Sequence, residues 1–260
     1  MQARHEDRKK YFDEQALTTE RYVIPYVNEV FFIDRNMRVL EVGCGEGGNL
    51  LPFVTMGCEA VGVDLGKDRI ENANHFFAEK GFKNVKFFAK DIFDCKVEQL
   101  GQFDFIFLRD VIEHLPDQEV FLRVIRSFLK DDGAIFFGFP PWRMPFGGHQ
   151  QICQNRWVSK LPYVHLLPYN WYRKFLKQMG ESDATIETLL EIKDTGISIG
   201  RFKRAYQNAN YQPIKETHYL INPNYETKFG LKQRLVPSLS RIPKIEDFYT
   251  TAVYSLLKKC

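Results

Sequence analysis

At 260 residues, with 44% hydrophobic and 27% charged side chains, the chain suits one globular domain with a sizeable core. Its five cysteines form no CxxC pair, which argues against a disulfide framework or zinc ribbon and for a reducing compartment. The polar start and the lack of any long apolar run argue against a secretory signal or a bilayer-crossing helix, so a cytoplasmic location is expected.

The net charge of +3 is unevenly placed: residues 201–260 hold eleven Lys or Arg against four Asp or Glu. Such a region reads first as a solvated surface, and second as an attractor of an anionic substrate, acidic lipid or nucleic acid.

Residues 5–36 carry Tyr22, Val23, Tyr26, Val27 and Val30 at helical spacing, as a segment that packs on a sheet edge or covers a cofactor does. Val39–Val42 reads as a first strand. Asn49 is expected to cap a helix that accepts Pro52 in its first turn and stops at Gly57. Strands are expected at Ala60–Asp64, Val85–Ala89, Phe103–Leu108 and Ala134–Phe139. Helices fill the gaps at Lys67–Lys80 and from Asp117 to Lys130, and Asp131–Asp132–Gly133 reads as a turn. This alternation predicts right-handed crossovers and a parallel, doubly wound sheet.

Regularity stops at Pro140. A long loop to Pro168 precedes helices at Tyr169–Met179 and from Ser182, and the whole of 140–195 is expected to be a mostly helical substrate cap inserted in a single domain, 1–260. Trp142, Phe146, Trp157 and Tyr163 could wall a pocket or pack the cap on the sheet. Ile197–Asn208 reads as the last crossover helix. Ile214–Ile221 and Phe248–Leu257 read as closing strands around a second irregular insert.

Gly43, Gly45 and Gly47 follow the first strand at alternate positions, a turn that admits a nucleotide-like ligand. Gly43, Gly45 and Gly48 also satisfy the dinucleotide pattern G-x-G-x-x-G, and Asp64 its ribose acid. Glu41 and Glu46 would repel a pyrophosphate but favour an ammonium or sulfonium.

Glu41-Val-Gly-Cys-Gly-Glu-Gly47 resembles the signature of class I S-adenosylmethionine-dependent methyltransferases. The likeness continues through Asp64, Asp91-Ile92, Phe103-Asp-Phe-Ile and Val111-Ile-Glu-His-Leu115. It implies a Rossmann-like, mainly parallel sheet closed by an antiparallel last strand. It further implies that Gly43, Cys44, Gly45, Gly47 and Asn49 lie along the methionine end of S-adenosyl-L-methionine. Glu41 would orient the ammonium, Asp64 with neighbouring Leu65 would hold the ribose, Asp91 would meet the adenine amino group, and Ile92 its ring. Arg109 and Asp110 would border the methionine.

Glu113 and His114 invite a metal or acid–base role, but in this family such a pair is often structural, and no metal is expected. The acceptor is expected to be a small molecule, anionic or lipid-like, held by the cap with His149 as general base; His165 is a weaker candidate. Alternatives are an RNA or protein methyltransferase, and an oxidoreductase or non-catalytic binder of the same fold. Nucleic acid is the less expected partner, peripheral membrane contact stays open, and the oligomeric state is not encoded legibly.

Overall fold

The computed structural model describes residues 8–237 and 242–260. Helix α1 (Arg8–Thr18) leads into one wide π turn, Thr19–Val23, and then α2 (Ile24–Asn28). Pro25 has no N–H to donate backward, and just before it Ile24 donates to Thr19 with the wider spacing. The helical stretch expected over 5–36 therefore ends at Asn28, and its first residues lie outside those described.

The sheet then builds in order: β1 (Arg38–Val42), α3 (Leu51–Met56), β2 (Glu59–Asp64), α4 (Lys67–Glu79), β3 (Val85–Ala89), α5 (Val97–Leu100), β4 (Phe103–Arg109), α6 (Gln118–Phe128) and β5 (Leu129–Phe139). Asp117 caps α6 by accepting from the Glu119 and Val120 amides. Asp131–Asp132–Gly133 is not a turn: β5 runs through it as a bulge, with Phe103 and Phe105 of β4 facing Leu129 and Ala134.

Beyond β5, residues 140–168 wind through three short 3-10 turns before α7 (Tyr169–Gln178) and α8 (Asp183–Thr195). Cys153, Val158, Val164, Tyr172, Leu176, Ile186, Leu189 and Leu190 form a small core of their own here. The chain returns through α9 (Ile199–Asn208), β6 (Tyr211–Ile221), α10 (Asn224–Phe229), β7 (Arg234–Leu235) and β8 (Ala252–Lys259). The last strand begins at Ala252 rather than Phe248, which sits in a 3-10 turn.

The strand order is β3-β2-β1-β4-β5-β8-β6-β7; β1 to β5 are parallel, and β8 runs antiparallel between β5 and β6. This is the Rossmann-like sheet expected from the sequence. Alternate β4 residues serve two cores: Ile106 and Leu108 pack toward α6 and α9, Phe105 and Phe107 toward α1–α4. Phenylalanines dominate both layers, each fully buried ring contributing roughly 1.5–3 kcal/mol. The loops after β1, β2 and β4 thus gather at one carboxyl edge, where such sheets bind ligands.

Candidate functional site

The turn after β1 is shaped by its glycines. Gly43, Gly45 and Gly47 all have positive φ, at 71°, 54° and 79°. A side chain at Gly43 would strike Val111, and one at Gly47 would strike Phe87; at Gly45 it would enter open space. Gly45 therefore keeps one face of the turn clear. Its amide donates to Asp64 Oδ2 at 2.9 Å, and the Gly66 amide donates to Asp64 Oδ1 at 2.8 Å. Asp64 ends β2 nearly buried, at 7% exposure, so the carboxylate braces two loops at once.

Glu41, the last residue but one of β1, is fully enclosed. Asn49 Nδ2 donates to its Oε1 at 2.7 Å, while Oε2 is buried without a partner. Burial pushes this carboxyl well above its usual pKa, against the opposing pull of Asn49 and Arg109. Asn49 does not cap a helix as the sequence suggests. It lies inside a 3-10 turn, Gly48–Leu50, and its amide oxygen accepts from Thr19 Oγ1 at 2.9 Å and Arg109 Nη1 at 3.0 Å. The one short amide serves a buried carboxyl through its nitrogen and a buried guanidinium through its oxygen, and satisfying both outweighs capping.

Arg109 is likewise no surface residue; its side chain is 6% exposed and its Nε lies 3.8 Å from Asp110. Asp110 follows with a left-handed φ of 56°. Cys44 is buried and its thiol pushed well up by burial, so it serves as a small filler rather than a nucleophile. Glu46 pairs with Arg8 at 3.1 Å, fastening α1 over the turn.

After β3, Asp91 caps the 3-10 turn Ile92–Asp94 by accepting from the Phe93 amide at 3.0 Å. Ile92 is buried and Leu65 is 73% exposed. The structure therefore gathers Glu41, the glycine turn, Asn49, Asp64, Arg109 and Asp110 into one network at the sheet edge, with Asp91 and Ile92 on the next loop.

Thr19 and Tyr11 were not legible as site residues. Tyr11 lies within electrostatic reach of Asp110, Arg109, Glu46 and Arg69, and burial pushes its phenol up. Both come from the helical segment before β1, and only that segment's expected packing on a sheet edge or over a cofactor hinted at this use.

In the segment after β5, a side chain at Gly147 would meet the Trp142 carbonyl and one at Gly148 would meet His165, so the loop closes only with glycine there. His149 follows at φ 53° and stacks on His114 with ring centroids 5.1 Å apart. Burial lowers its pKa to about 4, with His114 and His165 adding repulsion. His165 is fully buried and its Nε2 donates to the Trp142 carbonyl at 2.8 Å, a packing role. No four-membered aromatic wall forms: Trp157 is 82% exposed, and Tyr163 donates its hydroxyl to the Phe248 carbonyl at 2.9 Å. Neither ring has a covering layer in its own segment.

Among the described residues no helix is long and apolar enough to cross a membrane. A family model described as a methyltransferase domain matches residues 33–161. A ubiquinone biosynthesis O-methyltransferase from Acinetobacter baylyi is 25% identical over 195 residues, which is 74% of this chain and 74% of that protein. Among solved structures, PKMT2 from Rickettsia typhi superposes with a TM-score of 0.58 at 20% identity, covering 93% of this chain and 53% of that one. Geranyl diphosphate C-methyltransferase from Streptomyces coelicolor gives 0.57 at 14% identity, covering 95% and 81%. The matched segment holds the whole glycine turn and the loops after β2, β3 and β4, and with it the chain belongs to the class I S-adenosylmethionine-dependent methyltransferases.

Proposed function

We propose that this enzyme methylates a small-molecule acceptor bound between the glycine turn and residues 140–195, a substrate cap. The observation that carries the reading is the buried, unpartnered Glu41 Oε2, four residues before Gly45, whose Cβ side faces open space: a carboxyl that an incoming cation would complete and ionise. Bound S-adenosylmethionine supplies a methyl group already activated by its sulfonium. Glu41 would receive the amino acid ammonium, held in register by Asn49 and Arg109. Gly43, Cys44, Gly45 and Gly47 would line the methionine. Asp64 would accept from the ribose hydroxyls, Leu65 would cover the sugar, and Asp91 with Ile92 would hold the adenine. Tyr11, Tyr225 and Tyr254 all lie within electrostatic reach of Asp110, which supports phenol side chains near that end of the site. The resemblance to a quinone-pathway O-methyltransferase supports a hydroxylated, partly apolar acceptor.

S-adenosylhomocysteine at a hundredfold excess over its Kd is expected to stabilise the protein by about 2.7 kcal/mol, a rise of roughly 5–10 °C in Tm, with no rise from NAD or NADP. Stabilisation by a nicotinamide nucleotide alone would overturn the reading. A screen of metabolite, lipid and RNA pools with labelled cofactor then identifies the acceptor; labelled RNA or protein alone would exclude the small-molecule assignment.

His149 faces the acceptor in this proposal. Its low pKa keeps the ring neutral, which weakens it as a base but leaves the buried, unpartnered Nδ1 able to accept a hydrogen bond from an acceptor hydroxyl. His149→Ala is expected to lower turnover about 10²-fold or more while cofactor affinity stays within a few fold. Full turnover on the true acceptor ends its candidacy.

A further inference from the structure

Where the cap meets the loop after β4, three ligand-type side chains converge. Glu113 lies in the 3-10 turn Ile112–His114 at 4% exposure, and neither of its carboxylate oxygens has a hydrogen-bond partner. A buried polar group left so costs about 1–3 kcal/mol, and folded proteins rarely leave one without a reason. The Nδ1 of His149 is also buried and unpartnered, on a residue held in a left-handed conformation that costs of order 1–3 kcal/mol. The His114 and His149 rings stack at 20°, with no hydrogen bond between them. One donor atom from each of Glu113, His114 and His149 lies within 4.8 Å of the others.

We propose that Glu113, His114 and His149 form a divalent-cation site, selective for a borderline first-row ion such as Zn2+, that ties the cap to the loop after β4. Ligands about 2.1 Å from a tetrahedral ion stand roughly 3.4 Å apart, so modest side-chain rotation closes the site. Two imidazoles and one carboxylate are a set zinc accepts with a fourth position left open. Mg2+ demands near-octahedral oxygen ligands and is disfavoured here. The half-exposed His114 gives the ion a way in. Val111, next to this turn, packs on Gly43, so the ion would stand close behind the proposed cofactor turn.

Ion binding by itself does not depend on the methyltransfer reading; only the use of the open fourth position beside an acceptor rests on it. With an ion bound, His149 acts as a ligand rather than a free base, so loss of turnover in His149→Ala fits both accounts and ion affinity separates them.

The test is calorimetric titration of the chelator-stripped full chain with ZnCl2 and, separately, MgCl2. One Zn2+ per chain is expected, with far weaker Mg2+ binding. Glu113→Gln and His149→Ala should each weaken Zn2+ at least tenfold, and His75→Ala, at an exposed histidine paired with Glu79, should not. Retained stabilisation by S-adenosylhomocysteine shows that the variants fold. If they do not fold, the visible spectrum of Co2+ bound to the unaltered chain decides: a tetrahedral signature supports the site and an octahedral one overturns it. No stoichiometric Zn2+, or equal affinity in the Glu113 and His149 variants, overturns the proposal. Zinc binding without any response to S-adenosylhomocysteine would instead count against the cofactor site alone.

Discussion

Glu41→Gln is expected to make the free protein more stable at pH 7 and to make it bind S-adenosylhomocysteine at least tenfold more weakly. The carboxyl is fully buried, and its Oε2 has no partner. Burial therefore raises its pKa in the folded state above the unfolded value. A group raised in this way contributes stability while protonated, below the unfolded pKa near 4.5, and that contribution is lost as pH rises through the folded pKa. Glutamine never ionises, so the variant's advantage should grow from nothing near pH 4.5 to about 1–3 kcal/mol at neutral pH, roughly 3–10 °C in Tm. Asn49 can still donate to the amide oxygen, which keeps the local geometry. What disappears is the charge that would meet the ligand's ammonium. Ligand binding to the unaltered chain should also release a proton as Glu41 ionises, seen as an enthalpy that varies with the buffer, and the variant should lose that dependence. A variant no more stable than the original, with unchanged affinity, would show that Glu41 is an ordinary core residue.

Asp64→Ala is the second large effect, and its sign on stability is opposite. Two backbone amides, from Gly45 and Gly66, donate to this carboxylate. Its loss orphans both donors and is expected to cost about 2–4 kcal/mol, a fall of roughly 5–15 °C in Tm. Affinity for S-adenosylhomocysteine should fall at least tenfold, since the ribose hydroxyls would lose their acceptor. Asp64→Asn keeps one oxygen for the turn and so should recover part of the stability but little of the affinity. Calorimetry that finds normal affinity in Asp64→Asn would remove Asp64 from the ligand site and leave it only as a brace between loops.

Much of the sheet was legible because its signals are local. β3 begins and ends where the sequence predicts, and Gly57 and Gly81 close their helices as expected, both with positive φ. Period and turn chemistry act within a few residues, so they survive without knowledge of the fold. The misreadings came where a distant group changed the outcome. Asn49 looked like a cap until Glu41, Arg109 and Thr19 were brought to it from three other elements. Asp131–Asp132–Gly133 looked like a turn, yet β4 and β5 pair on both sides of it and absorb it as a bulge. Trp157 and Tyr163 are expected either to wall a pocket or to pack the segment on the sheet, but burial is a property of neighbours, and theirs leave both rings exposed.

The sequence alone pointed to the donor side of this enzyme: the charge of Glu41 and Glu46 beside three glycines favours a cationic ligand, and the resemblance carried by residues 41–47 and Asp64 implies S-adenosylmethionine. Only the tertiary structure decided the other side. It left Glu41 with one unpartnered oxygen, drew Arg109 inward, and stacked His149 from the segment after β5 on His114 from the loop after β4. Those residues come together through packing between segments far apart in the chain, and no periodicity or spacing encodes which of their atoms will meet.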